Sequence, residues 1–342
     1  MLLLEHYRAL RERAGIVDRS ARGKIVVAGA DRKTYLHAML TNDIATLEGG
    51  KGCYAAFLTP QGRMIADMCV YELGDVCLLD VHPSVKDTVV ERLDQFVFSE
   101  DVRLGDVTAS FASFGVYGPE SAEVVAAALR SGDSKGALSA GDLGRFRPFD
   151  NVRAPFFGDP VITVAGNRSG AGGFDVYCER RLAEPLHLAF EQAGGIDVGD
   201  EAIEAVRIEA GRPEFTVDMN RETIPLEAGI EKDAVSFTKG CYPGQEVVIR
   251  ILHRGHGRIA KKLAGMVVRD EVVPARGDGV FAADSEIGLV TSAAYSPSLM
   301  SPIALGYLAR DYLEPGSAIT IAHGDRRLAA VVGVLPFVAP NP

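Results

Sequence analysis

The sequence predicts an α+β fold that ends in a small β-barrel, and three observations carry that reading. Strand, helix and hairpin signals alternate irregularly up to residue 261, without the repeated βαβ rhythm of a parallel sheet. Beyond Lys262, six short strand-like runs follow one another with turn residues between them, as in a small closed sheet. At 342 residues the chain exceeds what one hydrophobic core usually supports. The expected division is therefore residues 1–261, two intertwined α+β subdomains, and a barrel domain over 262–342.

Leu4, Tyr7 and Leu10 stand at helical spacing and predict a helix over 5–14, followed by a short strand at 24–27. Asp31 is placed to cap a second helix, which carries Tyr35, Leu36 and Met39. The apolar-rich runs 68–73 and 76–81 are separated only by Gly74-Asp75, a two-residue hairpin signal. With that loop, Cys69 faces Asp80 and Asp67 faces His82, so Asp67, Cys69, Tyr71, Asp80 and His82 share one face of the hairpin. Met68, Val70, Leu79 and Val81 fall on the other, an evident core side. The polar face reads either as the wall of a site or as a solvated outer surface. Ser84 and Asp87 then resemble a capping box with Asp in place of Glu, opening a helix whose buried stripe is Val89, Val90, Leu93, Phe96 and Val97. Further helices are expected over 119–130, over 182–192 before Gly194-Gly195, and over 200–210 before Gly211. The barrel strands fall at 265–268, 279–282, 287–293, 303–308, 318–322 and 328–334.

Composition narrows the function classes. Lys and Arg number 36 against 46 Asp and Glu, and the net charge of −10 argues against nucleic-acid or membrane binding by bulk charge. The longest apolar runs, such as 329–336, are too short to cross a bilayer, and the N-terminus lacks the pattern of a signal peptide, so a cytoplasmic protein is expected. The five cysteines form no CxxC pair, which indicates neither a metal site nor a disulfide framework.

Two segments carry chemistry. Residues 255–260 fit a G-x-G-x-x-A fingerprint with a strand ahead of it, but no helix pattern follows. The run 236–246 is more specific: glycines flank a Cys-Tyr-Pro turn, so Cys241 sits in a tight loop with Lys239 two residues away to favour its thiolate. The other reading is a buried cysteine that stabilises the loop. Next come Arg250, Arg254, Arg258, Lys261 and Lys262, with no acid between Glu246 and Asp270, a local excess suited to phosphate or a carboxylate tail.

The run K-G-C-Y-P-G-Q-E at 239–246 resembles the hallmark of the YgfZ family, folate-binding proteins related to the glycine-cleavage T-protein (aminomethyltransferase). That family is implicated in iron–sulfur cluster assembly or repair and, through it, tRNA modification. The similarity covers nearly the whole chain: L-T-N-D-I at 40–44, the hairpin 62–71, R-I-E-A-G at 207–211 and T-S-A-A-Y-S-P-S-L at 291–299 resemble T-protein segments in the same order. The resemblance implies a T-protein-like multidomain folate-binding fold. It also implies tetrahydrofolate as cofactor, with or without a polyglutamate tail, and iron–sulfur assembly or recipient proteins as partners.

Carried over by motif, Asp67 is the acid that positions the folate, Tyr54 and Tyr71 are folate-contacting tyrosines, and Asp80 and Asp175 are carboxylates suited to the paired N–H donors of a pterin. Cys241 is the implied functional thiol and Lys239 its activating neighbour. With a pocket between the Asp67 hairpin and the Cys241 loop, the basic run leaves along a strand, and Arg254 and Arg258 meet the glutamate tail. Departures are Ala66 for the first hairpin Asp, Ile203 for an Arg of the T-protein and Arg168 for a Tyr. They favour a YgfZ-type folate-binding protein; the alternative is a folate-dependent aminomethyltransferase or demethylase of the T-protein type.

Overall fold

The computed structural model describes residues 2–132, 138–166, 170–254 and 259–339, with the side chains of His253 and Arg254 outside the description. One antiparallel sheet has the strand order Lys51–Leu58, Met64–Glu72, Val76–Val81, Gly23–Ala28, Arg103–Asp106. A second has the order Ile196–Asp197, Gly15–Asp18, Phe111–Tyr117, Gly173–Glu179, Asp159–Gly166, Asn151–Phe156, antiparallel except for its first pair. The mixed α+β architecture and the terminal barrel match the expectation.

The hairpin forms in the expected register, Cys69 opposite Asp80 and Val70 opposite Leu79. Its apolar face packs under the helices Arg32–Met39 and Lys86–Asp94 through Leu36, Val89 and Leu93. The polar face is not a solvated surface: Asp67, Cys69, Tyr71 and Asp80 are each at most 4% exposed. Cys69 and Tyr71 pack there against Ile162, Val164 and Tyr177 of the second sheet. The outer face of that sheet is covered by the helices Ser121–Gly132 and Ala183–Gln192, which gives a helix, sheet, sheet, helix layering. A polar layer is thereby sealed between two sheets.

Several local expectations are corrected. Asp31 occupies an N-cap position, but its carboxylate accepts the Asp101 N–H instead of capping the helix. His82 does not face Asp67, because pairing stops at Met68 and Val81. Its Nδ1 accepts the Ser84 N–H at 3.2 Å, so histidine caps the short turn Pro83–Val85 in place of a Ser84 capping box. Phe96 lies beyond the last helical residue, Asp94, and is 48% exposed rather than part of the stripe. Residues Gln245–Ile249 and Arg250–Arg254 are helical, so no strand leads into Gly255 and the fingerprint lacks its context.

All six expected C-terminal strands form, and they close as a barrel in the order Lys261–Val268, Ser301–Ala309, Ser285–Ser296, Gly279–Ala282, Ala318–His323, Arg326–Gly333. Polar side chains bolt the barrel to the rest. Glu209 accepts hydrogen bonds from Tyr7 and Ser296, while Asp218 accepts from Thr291 and Ser292 and pairs with Arg207 at 2.7 Å. Among the described residues no helix is long and apolar enough to cross a membrane.

Candidate functional site

Tyr54 lies on Lys51–Leu58, the edge strand of the first sheet, directly opposite Cys69, and so shares the side of Asp67. Its hydroxyl donates to Asp67 Oδ2 at 2.7 Å. Tyr54 also lines a cleft of about 700 Å³, whose walls include Phe149, Arg212, Lys232, Asp233 and Leu335. That volume is in the range of small-molecule sites. Asn42 ties the strand to the cleft wall, its Nδ2 donating to the carbonyls of Tyr54 at 2.7 Å and Asp233 at 3.0 Å. Arg212 Nη1 donates to Asp233 Oδ2 at 3.0 Å across the rim. An aromatic wall, a buried carboxylate behind a tyrosine and cations at the rim form a donor set that fits a heterocycle with an anionic tail.

Tyr71, Asp80 and Asp175 lie in the same layer between the sheets, but protein groups already engage them. Arg22 Nε donates to Asp80 Oδ1 and the Tyr177 hydroxyl to Asp80 Oδ2 at 2.8 Å. Asp175 accepts from the Tyr117 hydroxyl, with Arg19 Nε 3.7 Å away. The two carboxyls respond in opposite directions. Burial works to raise the Asp80 pKa, yet Arg22 and Arg19 outweigh it and hold it below the ordinary value. For Asp175 burial prevails over Arg19 and Tyr117, and its pKa is raised. Tyr71 is buried with its ring 6.1 Å from that of Tyr177, and burial pushes its hydroxyl well above the usual pKa.

The Cys241 thiol is exposed, which removes the reading of a buried, loop-stabilising cysteine. Lys239 is buried, and its ammonium donates to the carbonyls of His37, Leu40 and Asn42, closing the end of the helix Arg32–Met39. It also lies 5.0 Å from the centre of the Tyr242 ring. Burial lowers its pKa to about 8, with Asp43 and Cys53 opposing. Lys239 is thus engaged by carbonyls. Gly244 anchors the loop at φ +83°, where a Cβ would meet the Thr59 carbonyl at 2.6 Å. Tyr242 and Val248 join the core on the Met68 and Val70 face, so the sheet stands between this loop and Asp67. The cleft therefore does not lie between the two.

Of the basic run, Arg258 and the side chain of Arg254 lie outside the described residues, as does Arg168. Arg250, Lys261 and Lys262 do not line the cleft, whose cations are Arg212 and Lys232. Sequence reasoning missed both, although Arg212 directly follows the R-I-E-A-G segment. It also missed Arg19, Arg22 and Tyr117. Tyr177, two residues beyond Asp175 on one strand, was within reach of the same face argument.

Residues 2–239 match the GCVT N-terminal domain, and residues 261–338 match the glycine cleavage T-protein C-terminal barrel domain. An aminomethyltransferase of Geobacillus sp. (strain WCH70) is 29% identical over 97% of this chain and 89% of its own. One from Prosthecochloris aestuarii is 26% identical over 98% and 91%. The crystal structure of the glycine cleavage system aminomethyltransferase T from Bartonella henselae superposes with a TM-score of 0.87 at 21% identity, over 99% of this chain and 90% of that one, and so shares the fold. The chain belongs to the glycine cleavage T-protein family, the aminomethyltransferase-like folate-binding proteins.

Proposed function

We propose that this is a cytoplasmic, tetrahydrofolate-binding protein of the YgfZ type, acting in iron–sulfur cluster assembly or repair and thereby in tRNA modification. The observation that carries the folate reading is the 2.7 Å hydrogen bond from Tyr54 to Asp67 at the wall of the 700 Å³ cleft. Asp67, buried behind Tyr54, would orient the ligand through that hydroxyl, Phe149 would cover a ring face, and Arg212 and Lys232 would meet the glutamate carboxylate. Tetrahydrofolate, when bound, supplies a secondary amine that accepts a one-carbon unit. Each exposed pair at the rim is worth only about 0.2–1 kcal/mol, so any preference for a polyglutamate tail is modest and weakened by salt. Arg254 and Arg258 remain candidates for the outer carboxylates of such a tail.

Two features favour an accessory role over aminomethyl transfer. Asp80 and Asp175 are engaged by Arg22, Arg19 and two tyrosines, and Ile203 stands where the T-protein has Arg. Cys241 is exposed on a loop anchored through Lys239 and Gly244, as a functional thiol requires. The second reading, a folate-dependent aminomethyltransferase, draws on the retained Asp67 and on relatives of that name over nearly the full chain.

Turnover separates the two. Incubation with tetrahydrofolate and an aminomethyl donor should give no methylene-tetrahydrofolate, and its formation would establish the transferase reading instead. In a deletion strain, activities of iron–sulfur enzymes should fall under oxidative stress and should not be restored by Cys241→Ala. Full rescue by that variant would remove the thiol from the account.

A further inference from the structure

A cavity of about 380 Å³ opens at the tip of the hairpin Lys51–Leu58 and Met64–Glu72, and it shares no wall residue with the folate cleft. Leu58, Met64, Ile65, Phe96 and Pro243 give it apolar walls, and its charged wall residues are Arg92 and Arg221. Both arginines are exposed, and neither forms an ion pair among the described residues. Arg221 Nη2 donates to a neutral group, Thr88 Oγ1, at 3.2 Å. Glu222, the acid that follows Arg221, is taken by Arg63 at 2.7 Å. In a chain of net charge −10, a cavity walled by two cations and no acid is set for an anion.

The Cys241 loop is fastened to this cavity. Gly244 and Gly62, at φ +83° and +75°, meet back to back: a Cβ on Gly244 would lie 2.9 Å from Gly62 Cα, and one on Gly62 would lie 2.9 Å from Val247 Cβ. Pro243, a wall residue, is two positions from the exposed Cys241, so their Cα atoms are at most about 7.6 Å apart. Phe96 is itself 48% exposed, and Phe98, two residues on, is 82% exposed. Exposed aromatics beside an apolar cavity mark an interaction surface. The cavity volume, near the lower end for binding sites, suits one large apolar side chain. We propose that this cavity docks a segment of a partner protein in which a large apolar side chain is flanked by acidic residues, the side chain in the cavity and the acids on Arg92 and Arg221, beside Cys241. Its purpose rests on the reading of Cys241 as a functional thiol; the binding itself does not.

The chain contains no tryptophan, so indole emission from a peptide reports the peptide alone. The test titrates the full chain, at pH 7 and low ionic strength, into the peptide acetyl-Gly-Trp-Glu-Asp-Gly-amide. Its emission should shift saturably to the blue as the indole leaves water. The same peptide with Lys-Lys for Glu-Asp should bind about fivefold more weakly or worse, since two exposed charge pairs are reversed. The peptide with Ala for Trp, read as a competitor, should be about tenfold weaker or worse, the worth of a buried aromatic side chain. Arg92→Glu combined with Arg221→Glu changes exposed side chains and should invert the preference toward Lys-Lys. Thr88→Phe fills the cavity from the helix Lys86–Asp94 and should lose the peptide while keeping the response to tetrahydrofolate. If Thr88→Phe fails to fold, the double variant still decides. Bound peptide should also slow alkylation of Cys241. No saturable shift, equal affinity for acidic and basic peptides, an uninverted preference in the double variant, unchanged affinity in folded Thr88→Phe, indole-3-acetate as tight as the peptide, or an unchanged Cys241 alkylation rate would overturn the proposal. Peptide binding together with full rescue of the deletion strain by Cys241→Ala would remove the thiol reading and leave the docking site in place.

Discussion

Asp67 and Asp80 sit on adjacent strands, face the same second sheet and are almost completely buried, yet their surroundings differ. Asp67 is reached from the edge strand by Tyr54, and that strand borders a cleft. Asp80 is on the central strand, whose next neighbour, Gly23–Ala28, is preceded by the turn bearing Arg19 and Arg22. Arg22 and Arg19 neutralise the central carboxylate, whereas the hydroxyl that meets Asp67 belongs to Tyr54, a wall residue of the cleft. Parity along a strand decides which residues share a face; position across the sheet decides what each of them meets.

The comparison breaks most visibly at the arginine. Arg22→Ala takes from the buried Asp80 its hydrogen-bonded cation, leaving the Tyr177 hydroxyl and the more distant Arg19, and should cost about 3–5 kcal/mol in urea unfolding. Tyr54→Phe, at the edge, removes the hydroxyl bonded to Asp67 and should cost less, about 1.5–3 kcal/mol. Equal losses would mean that the two ends are energetically alike.

A pH series sharpens the contrast between Asp80 and Asp175. Because the folded-state pKa of Asp80 is depressed, its contribution is present above the unfolded value, about 3.9, and is lost as pH falls through the lower folded value. The pKa of Asp175 is raised, so stability declines as pH climbs from about 3.9 through its folded value. Asp80→Asn should therefore be at a growing disadvantage to the parent as pH rises from strongly acidic values to 4. Asp175→Asn should gain on the parent above that pH. Unfolding midpoints measured from pH 2 to 7 would contradict this assignment if the two variants trended in the same direction.

The smallest effect is expected at Cys241. Exposed and outside every core cluster, it should tolerate Cys241→Ala within about 0.5 kcal/mol. In the native protein it should alkylate ahead of Cys69, Cys77 and Cys178, which are buried. Alkylation at a buried cysteine first would reverse the assigned accessibility.

Much of the frame was legible in the chain. The hairpin register followed from Gly74-Asp75, the six barrel strands from their turns, and the shared face of Asp67, Cys69, Tyr71 and Asp80 from alternation. What escaped depends on contacts distant in sequence. Arg22 meets Asp80 across 58 positions, and Tyr117 meets Asp175 across the same separation, so no local pattern records either pair. Lys239, two residues from Cys241, read as the partner of the thiol, whereas its charge reaches carbonyls about two hundred positions away. The strands Phe111–Tyr117 and Gly173–Glu179, buried on both faces, lack the alternation that identifies a half-exposed strand.

The central claim is that Asp67, reached from the edge strand by Tyr54, serves a folate, and the direct measurement is calorimetric titration of tetrahydrofolate into the parent chain and Asp67→Asn. The account predicts saturable binding to the parent. It predicts at least about tenfold weaker binding to Asp67→Asn, the worth of a hydrogen bond to a charged group, with Cys241→Ala unchanged. Absence of binding to the parent, or equal affinity in Asp67→Asn, would contradict it.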